Sequence, residues 1–166
     1  MTSQAIPGAT SASTSSRAGL LTRALATTDS LGPVALRATL AVTMFPHGAQ
    51  KVLGWFGGYG WSGTMGFFTE QMGLPSPVAA LTILIEFVGP LLLLAGLGTR
   101  AVALGFVAIM IGAIATVHGE HGFFMNWYGQ QAGEGFEYHL LVIGMAAALA
   151  FAGGGRWSLD RRFGAR

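Results

Sequence analysis

The chain contains 166 residues, a length suited to one domain, and carries a formal net charge of +2. Hydrophobic residues make up 52% of it and charged residues only 10%, and a further 26 residues are glycine. Soluble domains are roughly 45–50% apolar with glycine counted, so the composition predicts an integral membrane protein. The absence of cysteine excludes disulfides, thiolate metal sites, iron–sulfur clusters and covalent c-type haem held by this chain alone.

The first 30 residues are rich in Ser, Thr and Ala. They contain no apolar run of the 7–15 residues that is typical of a cleavable signal. A polar segment of this kind buries too little apolar surface to offset the entropy of ordering. We therefore predict a flexible polar N-terminal tail over residues 1–30.

Four apolar stretches follow, and each is long enough to cross a bilayer, which takes about 20 residues with a range of roughly 17–25. The first is interrupted by Arg37, Pro46, His47 and Lys51. The predicted fold class is all-α, an integral membrane four-helix bundle over residues 31–155, followed by a basic C-terminal tail over 156–166. The predicted spans cover residues 32–54, 76–97, 99–118 and 137–153.

Small side chains recur on one face of the third predicted span and on one face of the fourth. Such faces let membrane helices approach closely. The pattern predicts that both faces pack against neighbouring helices. The residues are Ala101, Gly105, Ala108, Gly112 and Ala115 in the third span, and Ala146, Ala150 and Gly153 in the fourth.

The segment between the first two spans, residues 55–75, is rich in glycine and aromatic residues. Aromatic side chains with polar tips favour the headgroup level of a membrane. We predict a short interfacial helix across residues 64–72, with Pro75 and Pro77 at the start of the second span.

The distribution of basic residues predicts the orientation of the spans. With four spans, both termini and the turn between spans two and three share one side, and eight of the nine Lys and Arg residues fall there, Lys51 being the exception. Cytoplasmic flanks carry an excess of Lys and Arg. We predict cytoplasmic termini, a multi-pass location in a bacterial inner (plasma) membrane, the lipid bilayer as partner, and no nucleic-acid partner.

One carboxylate, Glu86, lies near the middle of the second predicted span. A charge at that depth costs roughly 2.5–3.5 kcal/mol on insertion scales, so it normally faces other helices and finds a partner. Basic residues on the first span are within reach, and we predict that Glu86 pairs with His47, Lys51 or Arg37. Pro90 also removes the helical donor for the carbonyl of Glu86.

Three histidines and three glutamates lie between residues 118 and 139. His118 ends the third predicted span, and Glu137 and His139 begin the fourth, so we predict that these three close the outer mouth of the bundle. Glu120, His121 and Glu134 fall in the loop, where a solvated surface is expected. A site for zinc, copper or iron on the four histidines, or a b-type haem, is chemically feasible, but no tight ligand motif supports it and no metal ligands are predicted.

The chain resembles the DoxX family of membrane proteins. The similarity covers residues 33–163 and is carried in order by "FPHGAQKVLGWF" (45–56), "GLPSPVAALTILIEFVGPLLLLAGLGTRAVAL" (73–104), "HGEHGFF" (118–124) and "WSLDR" (157–161). The family pattern falls on His47, Gly48, Lys51, Pro75, Glu86, Gly96, Arg100, His118, Gly122, Phe123, Phe124 and Asp160.

The resemblance implies a four-helix inner-membrane protein connected with electron transfer, as a subunit of a thiosulfate:quinone oxidoreductase or of a membrane complex that defends against oxidants. The leading hypothesis is a membrane subunit of a quinone-linked oxidoreductase, with no cofactor within the chain, quinone as its ligand, and other membrane or soluble subunits of a redox complex as partners. The alternatives are a non-catalytic anchor for a larger complex and, third, a transporter of a small solute or proton.

The residues assigned to the hypothesis fall into two groups. Proton-exchanging side chains are the candidate catalytic residues, namely Glu86, His47, Lys51, His118 and His139. Donors, acceptors and aromatic surfaces are the candidate substrate-binding residues, namely His47, Lys51, Glu86, Trp55, Phe123, Phe124 and Glu137. A quinone needs an apolar slot for its ring together with donors for its carbonyl groups.

Overall fold

A computed structural model of the chain describes residue 19 and residues 25–164. Its regular elements are all helices, and no strand occurs among those residues. The predicted all-α class is confirmed. The N-terminal tail lies outside the described residues at 1–18 and 20–24. The helices are α1 (Gly32–Leu53), α2 (Gly60–Gly66, continued by a π-helical turn Phe67–Gln71), α3 (Ser76–Ala95), α4 (Thr99–Ala113, continued by a π-helical turn Ile114–His118), α5 (Glu137–Ala152) and α6 (Leu159–Phe163).

The four long helices pack side by side around one apolar core. α1 lies mainly against α3 and α4 mainly against α5, and α1 also contacts α5 while α3 contacts α4. Phe106 on α4 is fully buried at the centre and lies against Gly89 of α3. The core comprises Leu40, Ala41 and Met44 of α1, Leu93 of α3, Ala103, Phe106 and Met110 of α4, and Val142, Ala146 and Leu149 of α5.

In the part of the chain that the structure describes, two helices are long and apolar enough to cross a membrane, Ser76–Ala95 and the continuous segment Thr99–His121. In the most apolar 18-residue stretch of each helix, only 33% and 17% of the residues are buried inside the protein. The core helix of a soluble protein would be mostly buried. α5 is apolar but shorter, with 16 residues. The exposed apolar side chains therefore form an outer surface that suits lipid better than water.

The two small-residue faces behave differently. On α5, Ala146 and Gly153 are buried, as predicted. On α4 the prediction is wrong within this chain, because Ala101 and Gly112 are exposed and the helix instead turns Ala103, Phe106 and Met110 inward. Phe106 and Met110 contribute most of the apolar area on the buried face of α4, whereas Leu104 and Ile111 of the same helix are exposed.

The turn between α3 and α4 is closed by the C-terminal segment. The buried Asp160 carboxylate accepts hydrogen bonds from the backbone N–H groups of Gly98 at 2.7 Å and Thr99 at 2.9 Å. The Asp160 N–H in turn donates to the Gly96 carbonyl at 2.9 Å. Gly96 itself has a φ of +66°, and a Cβ there would overlap Ser158 and Arg37. The "LGTR" and "SLD" stretches are thus two halves of one hydrogen-bonded turn.

Arg37 joins this turn to α1. Its guanidinium is 3% exposed and donates to the carbonyls of Leu93 and Leu94 at 2.8 and 3.1 Å. It also reaches the carbonyls of Arg156 and Trp157 at 3.5 and 3.4 Å. Because the last carbonyls of a helix have no helical donor, a buried cation can be solvated there by backbone alone.

Residues that the sequence assigns to the two tails make specific contacts. The Thr28 N–H donates to the Ala152 carbonyl at 3.1 Å, and the Arg156 N–H donates to the Ser30 carbonyl at 3.0 Å. Arg100 donates to the carbonyls of Ala26 and Ala150. Residues 26–30 and 156–163 therefore pack together at the end of the helices that carries the α3–α4 turn.

The segment between α1 and α3 is helical over residues 60–71, longer than the predicted 64–72 at its start. Pro75 caps α3 and Pro77 lies in its first turn, as predicted. The aromatic side chains of Trp55, Tyr59 and Trp61 are exposed.

Candidate functional site

The centre of the candidate site is an ion pair between α1 and α3. Lys51 Nζ lies 2.6 Å from Glu86 Oε2, and the Glu86 side chain is only 6% exposed. α1 can approach α3 this closely because Gly48 faces the Glu86 backbone, where a Cβ would overlap the Glu86 carbonyl. Removing one partner of such a buried pair leaves an uncompensated charge.

Of the three partners that the sequence leaves open for Glu86, the structure selects Lys51. Arg37 is bound to backbone carbonyls near the other end of α1. His47 is exposed, and its ring lies 6.0 Å from the ring of Tyr138 on α5. The Thr43 hydroxyl donates to the Thr39 carbonyl of its own helix at 2.9 Å. The polar groups near Lys51 form a cluster that opens to the surface at His47.

A pair of histidines lies on the neighbouring helices. The rings of His118 on α4 and His139 on α5 are 4.1 Å apart. His118 reaches this position at the end of the π-helical turn Ile114–His118, whose wider backbone shifts the side chains that follow, and such turns often occur at functional sites. Its Nδ1 lies 2.8 Å from the Glu134 carbonyl, which orients the ring.

His139 has an unusual environment. It is 7% exposed, and its Nδ1 has no hydrogen-bond partner among residues 25–164. Buried polar atoms normally find a partner, and each exception calls for an explanation such as an unseen ligand or water. The nitrogen is therefore a candidate contact for a bound molecule.

Tyr138 belongs to the same cluster, and the sequence analysis assigned no role to it. Its ring lies between those of His47 and His139, at 6.0 and 5.9 Å, and its hydroxyl lies 3.5 Å from the Met44 sulfur. The signal in the sequence was its place beside His139 at the start of α5. Helical spacing alone does not show which way a side chain in a first turn points, so the sequence did not place Tyr138 in the site.

The other predicted binding residues make their contacts outside this cluster. Glu137 accepts a hydrogen bond from Trp127 Nε1 at 3.0 Å, which ties the outer loop to α5. Phe123 packs edge-on against Phe124 and Phe136. Trp55 packs edge-on against its neighbour Phe56 in a turn and is 52% exposed. Their role in binding stays a prediction.

The loop residues expected to be solvated are only partly so. Glu120 is 79% exposed in its side chain, as expected. His121 is a correction, because its side chain is 20% exposed and its ring lies against Gly133, where a Cβ would overlap it. Glu134 is exposed but ordered, accepting from the Asn126 N–H at 2.7 Å. No group of three metal-ligating side chains is placed to hold a metal ion among the residues that the structure describes.

Comparison with known proteins identifies the family. The sequence model of the DoxX family matches residues 32–119. The chain belongs to the DoxX family. The matched range contains Lys51, Glu86 and His118, whereas Tyr138 and His139 lie beyond it.

One curated relative is similar over most of its length. The chain is 34% identical over 119 residues to the Bacillus subtilis (strain 168) protein named "Putative oxidoreductase CatD", which covers 72% of this chain and 78% of that protein. No solved structure matches the chain. The DoxX family is membrane-associated, so this chain is a DoxX-like membrane protein.

Proposed function

We propose that this protein is an inner-membrane subunit of a quinone-linked oxidoreductase or oxidant-defence complex. The observation that carries the proposal is a polar cluster contributed by four helices. In it, the buried Lys51–Glu86 pair and the Nδ1 of His139, which has no partner within residues 25–164, lie among apolar surroundings. Ionisable residues within membrane helices mark substrate paths and proton relays. The name of the Bacillus subtilis relative supports a redox connection.

The proposal includes a topology. α1, α3, α4 and α5 form a transmembrane four-helix bundle, with both termini cytoplasmic and the Lys51–Glu86 end toward the outer face. Support comes from the arginine asymmetry in the sequence and from the exposed apolar faces of α3 and α4. Exposed positions 62 and 130 on the outer segments offer a direct test.

The topology test uses single cysteines, since the chain has none of its own. Ser62→Cys and Gln130→Cys in intact cells should react with an impermeant thiol reagent, and Ser13→Cys should react only after lysis. Labelling of Ser13→Cys alone would show the opposite orientation.

The residues fit a quinone headgroup in their chemistry. His139 Nδ1 is an orphaned nitrogen that can donate to a carbonyl oxygen, and exposed His47 marks where the cluster opens. A bound quinone would supply two-electron, two-proton redox chemistry. Glu86 and the pair His118 and His139 would hold and pass protons, since carboxyl and imidazole groups serve as general acids and bases.

The alternative is a non-catalytic anchor, in which the Lys51–Glu86 pair only joins α1 to α3. The two functions separate on purification in mild detergent, followed by extraction and mass spectrometry of bound quinone and of co-purifying subunits. Quinone at about one per chain, lost in His139→Gln at unchanged melting temperature, would support the oxidoreductase subunit. Co-purifying subunits without quinone in wild type and variant would support the anchor.

A further inference from the structure

The end of the molecule away from the Lys51–Glu86 pair carries a cationic pocket. It lies beside the α3–α4 turn, because the C-terminal segment that lines it is hydrogen-bonded to that turn through Asp160. If α3 and α4 cross a bilayer, this turn lies at the level of the lipid headgroups. The lining residues are Asp29, Arg156, Trp157, Ser158, Arg161 and Arg162.

The charges of this pocket do not cancel. Asp29 Oδ1 accepts from Arg156 Nε at 3.0 Å and from Arg161 Nη1, so two guanidinium groups share one carboxylate. Arg162 is exposed and takes part in no ion pair among residues 25–164. The Asp160 carboxylate is engaged by backbone N–H groups. The pocket therefore carries an excess of about two positive charges.

The aromatic residues beside the pocket are held outward. Trp157 is 74% exposed and has a φ of +61°, which is rare for a residue other than glycine, and Phe163 is 64% exposed. A left-handed backbone at a large side chain is unfavourable and clusters at functional sites. Because the indole is mostly exposed, packing within the chain does not account for it. Tryptophan is enriched where membranes meet water.

We propose that this pocket binds the phosphodiester headgroup of an anionic phospholipid. The guanidinium groups of Arg156, Arg161 and Arg162 match the geometry of phosphate oxygens, and basic pockets at the cytoplasmic ends of membrane helices suit anionic lipids. Trp157 and Phe163 offer apolar surface that the glycerol and upper acyl region of a lipid would cover and free phosphate would not. The proposal is independent of the redox function.

The test measures lipid binding to the full chain in mild detergent by native mass spectrometry. Dioleoylphosphatidylglycerol is titrated, with dioleoylphosphatidylcholine as the neutral lipid and inorganic phosphate as competitor. The wild type should prefer phosphatidylglycerol, and phosphate should displace it poorly. Arg162→Gln should weaken binding about fivefold, since one basic residue near an anionic surface contributes about 1 kcal/mol.

A charge-matched pair of variants tests the location. Asp29→Asn releases two guanidinium groups and should strengthen phosphatidylglycerol binding. Glu120→Gln changes the net charge equally, at an exposed position near the other end, and should leave binding unchanged. Equal gains in the two variants would show a general effect of charge and overturn the site.

Trp157→Gly separates binding from folding. Glycine tolerates the positive φ, so the melting temperature in lipid-free detergent should stay the same or rise while the preference for phosphatidylglycerol falls. An unchanged preference would remove Trp157 from the site. Equal binding of the two lipids by the wild type, or displacement of phosphatidylglycerol by millimolar phosphate, would overturn the assignment to a phospholipid.

Discussion

α1 carries a cation near each end, and the two cations are neutralised in different ways. Arg37 donates to the carbonyls of Leu93 and Leu94, so backbone dipoles solvate it. Lys51 faces the Glu86 carboxylate. Backbone carbonyls are fixed dipoles with no proton to exchange, whereas the partner of Lys51 is an ionisable side chain.

The same contrast extends to the groups around each cation. At the Arg37 end, Asp160 binds two backbone N–H groups of the α3–α4 turn. At the Lys51 end, histidine and tyrosine side chains face one another, and His139 Nδ1 has no partner among the described residues. Arg37 and Asp160 thus hold the α3–α4 turn through backbone groups, whereas Lys51 and Glu86 face other side chains and are available for function.

The largest effect is expected at Glu86. Glu86→Ala leaves Lys51 unpaired and should reduce the free energy of unfolding by about 3 kcal/mol, the low end for a broken buried pair because Lys51 is 24% exposed. The double variant with Lys51→Ala should be milder than the sum of the two. Thermal unfolding in detergent measures both.

His47→Ala is the control for this cycle, since His47 lies on the same helix but does not contact the carboxylate as an ion pair. Its effect should add to that of Glu86→Ala. Additivity with Lys51→Ala as well would contradict the contrast between the two ends of α1.

The histidine pair should affect activity more than stability. We expect His118→Gln and His139→Gln to reduce quinone-dependent activity of the parent complex about a hundredfold, because an amide cannot exchange a proton as imidazole does. Melting temperatures should be nearly unchanged. Steady-state rates and melting curves of the same preparations check this.

Glu120→Gln is the control for the histidines, because its side chain is 79% exposed. His121 would be a poorer control, because its side chain is 20% exposed and its ring lies against Gly133. If the variants at positions 118, 139 and 120 all kept the same activity, the result would favour the anchor function.

Asp160, in contrast to the histidine pair, should affect stability more than activity. Asp160→Ala leaves the N–H groups of Gly98 and Thr99 without their acceptor and should cost about 2 kcal/mol of unfolding free energy. Asp160→Asn keeps one acceptor and should cost less. Activity per folded molecule should stay normal, and its loss at an unchanged melting temperature would place function at this end too.

The smallest effect is a pH dependence at the Asp29 cluster. Arg161 and Arg156 hold the pKa of the Asp29 carboxyl well below its ordinary value of 3.8. A depressed carboxyl pKa stabilises the fold above the unfolded pKa, and this contribution is lost as the pH falls through the folded pKa. The group is exposed, so the effect is small.

Asp29→Asn should melt slightly below wild type at pH 7, and the difference should shrink below pH 3.8. A difference that stays constant as the pH is lowered from 7 to about 2 would contradict the ion pairs as its cause.

The sequence by itself determined the helices and their approximate ends, because apolar length, prolines and glycines are local signals. It also indicated that Glu86 needs a cationic partner on α1, since a carboxylate among apolar residues cannot remain unpaired. The motifs at residues 96–100 and 157–161 were visible but not their joint role, which depends on a hydrogen-bonded contact between residues 62 apart.

Only the tertiary structure decided which partner Glu86 takes and which face of α4 turns inward. His47 and Lys51 are four residues apart on one face of α1, so spacing alone does not choose between them, and the close approach at Gly48 brings Lys51 to the carboxylate. The small face of α4 points outward because Ala103, Phe106 and Met110 fill the space between α3 and α5. The place of Tyr138 in the site, and the lack of a partner for His139 Nδ1 among the described residues, were also decided by the tertiary structure. The neighbours of a side chain on other helices are set by packing, which no single helix encodes.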